Sequence, residues 1–260
     1  MPIIPGLEGT FNTVAAKYDR WRPTYVKAVY DDIFKLCPLN KNSRALEVGI
    51  GTGQATLPIL ETGCRITAVE LGDQMATFVR EKFREYPNFS VINCPFQNYE
   101  CPDESFDLFY SASAFHWIPE EIGYQKVYAA LKPGGVFARF ANHPFKDKGR
   151  EILHTEMQKV YARYGFPGPE SQEYSEENAR KRALIAEKYG FTDISWHLYR
   201  RTRTFTAQEY VQLLGTYSDH IALGERQIPF AAEIQGVIEA HGGVITLYDT
   251  IDLQLARKPE

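Results

Sequence analysis

An apolar run, Ala45-Leu46-Glu47-Val48, meets glycines at alternate positions, Gly49, Gly51 and Gly53, and then Gln54. No other stretch restricts the fold as much. A short apolar run bounded by turn residues reads as a buried strand. Glycines let the backbone turn sharply and let a ligand come close to it. The pattern predicts strand one over 43–48 and a helix over about 54–61. Pro58 falls near the limit of that helix's first turn, where it is tolerated or shifts the start, and Gly63 ends it. Amides at a helix start favour polar or anionic groups. The next apolar strand, over 65–71, ends in Glu70 and Leu71. A carboxylate there is placed to accept hydrogen bonds from both hydroxyls of a ribose. Strand, glycine turn, helix and acidic strand end together are how an α/β sheet receives a nucleotide-like cofactor.

A dinucleotide site wants its third glycine three residues after the second, in the pattern G-x-G-x-x-G. Here that position holds Gln54, and the glycine falls one place early at Gly53. A pyrophosphate needs that close helix approach; a cofactor without phosphates does not. The stretch Glu47-x-Gly49-x-Gly51-x-Gly53 resembles motif I of the class I S-adenosylmethionine-dependent methyltransferases. Two later segments resemble the same family in the same order: Phe106-Asp107, opening strand four, and Leu131-Lys132-Pro133-Gly134-Gly135, before strand five. The likeness covers residues 10–142 well and the rest loosely. It is nearest to the methyltransferase type 11 group of small-molecule enzymes. The aromatic loop after strand four also resembles that of trans-aconitate-methyltransferase-like members.

The resemblance implies an α/β, Rossmann-like fold: a seven-stranded, mostly parallel sheet with helices on both faces and a helical insertion after strand five. The final strand would be antiparallel and lie between strands five and six. S-adenosylmethionine would be the cofactor and S-adenosylhomocysteine the product. Cofactor contacts are implied for Glu47, Gly49, Gly51 and Gln54 around the turn and for Glu70, Leu71 and Met75 past strand two. Phe96 and Gln97 after strand three and Ser111 on strand four are implied likewise. Carboxylates are common at the positions of Pro95 and Gln97 in that family, so here the Gln97 oxygen or a backbone carbonyl would accept from the adenine amino group, with Phe96 on the purine face. The arm Phe11-x-x-x-Ala15-x-x-Tyr18-Asp19-x-x-Arg22-Pro23 resembles the family's lid. Its Tyr18 and Arg22 would lie against the methionine end, where a guanidinium can hold a carboxylate at two points. The alternative for this arm is a helix cap packed on the sheet.

Along the chain, Pro23 starts a helix over 24–36. Met75, Phe78, Val79, Phe83 and Tyr86 keep helical spacing after Asp73, and Pro87 stops that helix. Strand three spans 89–93, strand four 106–113, a helix 120–131 and strand five 136–142. Two helices follow, one carrying Ile152 to Tyr164 and one over 176–189, with Gly165, Pro167, Gly168 and Pro169 in the loop between them. A strand over 191–205 leads into a capping box at Thr206 and Glu209. The helix behind it bears Tyr210, Leu213, Leu214 and Tyr217; a helix over 229–241 and a strand over 244–255 close the chain. The expected organisation is one methyltransferase domain over 1–260, with a lid and helix at 10–37 and a substrate cap at 143–190.

At 260 residues and 44% apolar composition the chain can bury a sizeable core. A net charge of -4 argues against a general nucleic-acid or anionic-membrane surface, and the one basic run, Arg200-Arg201-Thr202-Arg203, reads as an exposed strand face. Residues 1–6 carry no basic or long apolar segment, and no stretch reaches 18 apolar residues. Four cysteines without C-x-x-C spacing read as reduced thiols of a cytoplasmic protein. No metal is expected, and the chain is read as a monomer or homodimer.

Methyl transfer depends on holding nucleophile, carbon and sulfur in line. A base is needed only where the nucleophile starts protonated. His116 is the candidate base, in the loop after strand four, against the alternative that it only holds that loop. Trp117, His143 and Tyr217 are candidate walls of a substrate pocket; Tyr217 and His220 also suit core roles. No Asn-Pro-Pro-Tyr-like segment follows strand four, which argues against methylation of nucleic-acid bases. The expected activity is O-methylation of a small molecule. The alternatives are a nicotinamide oxidoreductase, opposed by Gln54 and by the segment 132–135, and a non-catalytic cofactor-binding protein.

Overall fold

The computed structural model describes residues 7, 9–166 and 172–260. The reading of residues 1–6, and the Pro167, Gly168 and Pro169 part of the predicted loop, lie outside them. In chain order the elements are α1 (Ala15–Trp21), α2 (Lys27–Leu36), β1 (Arg44–Val48), α3 (Leu57–Leu60), β2 (Arg65–Glu70), α4 (Asp73–Lys82), β3 (Phe89–Asn93), β4 (Phe106–Ala112), α5 (Glu120–Ala130), β5 (Leu131–Phe145), α6 (Glu151–Arg163), α7 (Glu176–Ala183), β6 (Thr192–Thr206), α8 (Ala207–Leu214), α9 (Ser218–Ile221), α10 (Gln227–Ala240) and β7 (Val244–Arg257). The strands form one seven-stranded sheet in the order β3-β2-β1-β4-β5-β7-β6. β1 pairs in parallel with β2 and β4, β2 with β3, and β4 with β5. β7 runs against β6, since Arg200 reaches Thr250 while Thr204 reaches Thr246. The expected α/β class, mostly parallel sheet and late-strand order are all present.

The described residues group into two compact units. One comprises Met1–Arg22, His143–Tyr174 and Arg200–Thr250; the other comprises Pro23–Asn142, Ser175–Tyr199 and Ile251–Glu260. Within the segment 143–190, expected as a substrate cap, α6 belongs to the first unit and α7 to the second.

In the second unit, neighbouring strand residues go to opposite cores. Ala45, Leu108, Tyr110, Val136 and Ala138 join α2 and α4 on one face. Leu46, Phe109 and Phe137 join α5 on the other. Period-two alternation with both faces apolar explains why these strands read as continuous apolar runs. The first unit has its own core, in which Leu153, Met157 and Val160 of α6 pack with Leu213 of α8 and Phe230, Ile234 and Ile238 of α10.

Several boundaries differ from the sequence reading, each for a local reason. α2 starts at Lys27, because the preceding segment is extended at Val26 and Tyr25 is tied down by Ser113 and Phe140. α3 is only four residues long, with Pro58 in its first turn; the proline shifted the start. α4 stops at Lys82, and Phe83 and Tyr86 pack edge-on beyond it. α7 gives way to a 3-10 helix over Leu184–Tyr189. Pro229 lies inside the first turn of α10, which begins at Gln227. The Thr206–Glu209 capping box forms as expected, and a second, at Ser175 and Asn178, was missed. Among the described residues no helix is long and apolar enough to cross a membrane.

Candidate functional site

The site begins where β1 ends, in the second unit. Gly49 and Gly53 both have positive φ, 71° and 82°. A Cβ on Gly49 would lie 2.3 Å from the Ala114 Cβ, and one on Gly53 2.5 Å from the Phe83 ring. Both glycines thus make room for the protein's own side chains. Between them the Gly51 amide donates to Glu70 Oε2 at 2.9 Å, and the Gly72 amide donates to Oε1 at 2.9 Å. One carboxylate therefore joins the tips of β1 and β2. Burial pushes its pKa up, against the pull of the Gly72, Gly51 and Leu71 amides. Lys82 Nζ donates to the Thr52 carbonyl at 2.8 Å, and Gln54 Nε2 to Thr52 Oγ1 at 2.6 Å, closing the turn. No local pattern marked Lys82, because α4 brings it back from thirty residues away.

Glu47 does not stand in the open. It is 1% exposed, and its Oε2 accepts from Thr56 Oγ1 at 2.8 Å and from Tyr110 Oη at 2.6 Å. Burial, partly offset by these two bonds, raises its pKa to about 8. The Tyr110 phenol, still more strongly raised, stays a donor. Glu47 therefore supports the glycine turn from beneath, through two hydroxyls of the protein itself. Three other residues expected to contact the cofactor are also buried. Ser111 is buried and gives its hydroxyl to the Val48 carbonyl at 2.8 Å. Met75 is buried in α4. Phe96 is 4% exposed, edge-on to Phe109 at 5.6 Å, so its ring packs in the core. Leu71, at 43% exposed, and Gln97 do face outward. Lys126, which the sequence reading passed over, donates to the Gln97 and Tyr99 carbonyls and pins that turn.

At the tip of β4, Ser113 takes a positive φ of 55°. This is an uncommon conformation for a residue other than glycine, held by the Ser113 amide donating to Phe140 O and by the bond between the Ser113 and Tyr25 hydroxyls. A 3-10 turn, Phe115–Trp117, follows. Phe115 anchors it, buried against Phe137 and Tyr124 at 5.1 and 5.3 Å. That anchor leaves His116 and Trp117 half-buried side by side, with ring centroids 5.2 Å apart.

The remaining candidates belong to the first unit. Arg22 lies 4.0 Å over the Tyr217 ring and 4.9 Å over Tyr18, and its Nη2 donates to the Thr216 carbonyl at 2.7 Å. Tyr18, Arg22 and Tyr217 are thus brought together. His143 lies within β5 rather than after it, stacked on Tyr174 at 3.7 Å. His220 is a core residue: its Nδ1 meets Asp219 at 2.7 Å, and its Nε2 meets the Tyr161 hydroxyl at 3.3 Å. Arg201 and Arg203 do not form an exposed face, because both converge on the buried carboxylate of Asp249.

The two later sequence signatures meet each other. Asp107 accepts from the Arg44 amide and from Lys132 Nζ, both at 2.7 Å. Opposite Asp107 the β4–β5 register slips, pairing Phe106 with Leu131 and Leu108 with Val136. The segment 132–135 thus bulges within β5, which starts before it. These residues tie the starts of β1, β4 and β5, so their role is architectural.

Residues 46–139 match a family described as a methyltransferase domain. A protein of Schizosaccharomyces pombe, described as an uncharacterised methyltransferase-like protein, is 27% identical over 219 residues, 84% of this chain and 81% of its own. A malonyl-[acyl-carrier protein] O-methyltransferase of Marinomonas sp. is 29% identical over 129 residues, 48% of this chain and 47% of its own. The solved structure of Haemonchus contortus phosphoethanolamine N-methyltransferase 2, in complex with phosphomonomethylethanolamine and S-adenosylhomocysteine, has a TM-score of 0.57 and 17% identity. It covers 100% of this chain and 62% of that one. At that identity the likeness is one of fold.

Proposed function

Because the chain belongs to the class I S-adenosylmethionine-dependent methyltransferases, we propose that it methylates an oxygen of a small-molecule acceptor in the cytoplasm. The observation that carries the cofactor reading is the Glu70 carboxylate, held by the Gly51 and Gly72 amides where β1 and β2 end. An ionised carboxylate has about four acceptor sites, so a group oriented by backbone amides keeps capacity for ribose hydroxyls. Leu71, exposed beside it, offers an apolar surface to the adenine. Gln97, exposed after β3, is the polar group for the base edge.

When bound, S-adenosylmethionine supplies a sulfonium methyl group. The protein's part is alignment, which supplies roughly 7–11 kcal/mol in well-oriented reactions. Oxygen forms the new bond to carbon, and the carbon–sulfur pair stays on sulfur. A carboxylate oxygen needs no base. A hydroxyl acceptor needs its proton removed, and His116 is the residue for that. The relation to an O-methyltransferase over half of the chain supports oxygen as the acceptor atom.

Thermal-shift measurements with S-adenosylhomocysteine and with NAD(H) test the reading: the first should stabilise the protein. Stabilisation by NAD(H) alone would overturn it. Glu70→Ala should weaken S-adenosylhomocysteine binding by about 1.5–3 kcal/mol, the range for a charged acceptor. Unchanged affinity by calorimetry removes Glu70 from the site. His116→Ala should cut turnover about 10²-fold or more if the ring takes a proton, with cofactor affinity unchanged. Undiminished turnover would make His116 a wall.

A further inference from the structure

The first unit gathers cations around one turn, Gly215-Thr216-Tyr217, between α8 and α9. A Cβ on Gly215 would lie 2.2 Å from Lys17 Nζ, so the ammonium rests directly on the bare glycine. Burial pushes the Lys17 pKa down with nothing offsetting it. Arg22 occupies the next residues, bonded to the Thr216 carbonyl and lying over Tyr217. Arg203 comes from β6. It spends Nε and Nη2 on Asp249, at 2.5 and 3.0 Å, yet its Nη1 is buried with no partner among the described residues. Its charge, like that of Arg22, acts on the Tyr217 phenol. Asp249 cannot balance Arg203 fully, because Arg201 shares the same carboxylate at 3.0 Å. Asp219 is taken by His220. The phenol of Tyr217 is 9% exposed, and burial keeps it protonated and able to donate.

A buried N–H without an acceptor and a desolvated ammonium are both costly unless an anion meets them. Arg22 is partly spent on the Thr216 carbonyl; Lys17 and Arg203 Nη1 are the donors left over. We propose that the turn 215–217 of the first unit, with Lys17, Arg203 Nη1 and the Tyr217 hydroxyl as donors, binds the carboxylate of a small organic acid. The anion site does not rest on the methyltransferase reading. A planar carboxylate suits one guanidinium N–H beside an ammonium, and a neutral molecule would leave both charges unmet.

Calorimetric titration with succinate, its uncharged match succinamide, and inorganic phosphate decides the matter, run with and without saturating S-adenosylhomocysteine. Succinate should bind, with succinamide undetectable and phosphate weaker. Lys17→Met and Arg203→Met should each weaken succinate by roughly tenfold or more, while S-adenosylhomocysteine affinity changes less than about twofold. Lys17→Met keeps the test decisive if Arg203→Met unfolds. Succinate binding no tighter than succinamide, phosphate binding as tight as succinate, or unchanged succinate affinity in Lys17→Met would each overturn the proposal. If S-adenosylhomocysteine fails to bind the wild type, the methyltransferase reading falls, and succinate binding to the protein alone still decides the anion site.

Discussion

Glu47→Gln should stabilise the protein at pH 7 by about 3 kcal/mol, 1.36 kcal/mol for each pH unit above the ordinary carboxyl value. Glu47 titrates near 4.5 in an unfolded chain and near 8 in the fold. The folded state therefore holds the proton more tightly. The stability this confers is complete below about pH 4.5, declines as pH rises, and is lost once pH passes through about 8. Glutamine cannot ionise, and its amide oxygen can still accept from Thr56 and Tyr110, the two donors that meet Glu47. Denaturant midpoints at pH 5, 6, 7 and 8 should fall steeply for the wild type, less so for the variant, and the two should diverge as pH rises. Parallel profiles would mean that Glu47 does not carry the proton. The group sits under the turn that Gly51 and Glu70 complete, so its ionisation bears on the cofactor site as well as on stability.

Asp249→Ala should cost about 3–5 kcal/mol, the usual penalty for removing one member of a buried ion cluster. Four hydrogen bonds reach this carboxylate, two from Arg201 and two from Arg203, and its side chain has no solvent exposure. Without it, the guanidinium groups of Arg201 and Arg203 would lose the carboxylate they share between β6 and β7. Asp249→Asn should lose less, because it keeps acceptor geometry while dropping the charge. Urea unfolding measures both. A loss under about 1 kcal/mol for alanine would place these arginines among solvated surface pairs.

Much of the sheet was readable because its rules are local. The glycine turn after Val48, the carboxylate closing β2 at Glu70, and β3 over Phe89–Asn93 follow from period, turn chemistry and spacing within a few residues. So does the capping box at Thr206, whose partner Glu209 is three residues on. Burial was less legible. Ser111, Met75 and Phe96 are expected to meet a ligand from their place in a motif, and the fold buries each of them. A strand or turn residue points to one side or the other, and only the packing opposite it says whether that side is core. The run Arg200–Arg203 misled in the same way, since the carboxylate that meets Arg201 and Arg203 lies more than forty residues downstream.

Short-range patterning in the amino-acid order thus determined the α/β class, the glycine turn after β1 and the carboxylate at the end of β2, while the expected strand order came from the family resemblance. Only folding decided that Gly49 and Gly53 face Ala114 and Phe83, that Glu47 is shut in with a phenol and a hydroxyl, and that Lys17 and Arg203 stand around one turn. Backbone preference acts over a turn or a strand. Burial and charge pairing act through space, between residues that the chain itself holds far apart.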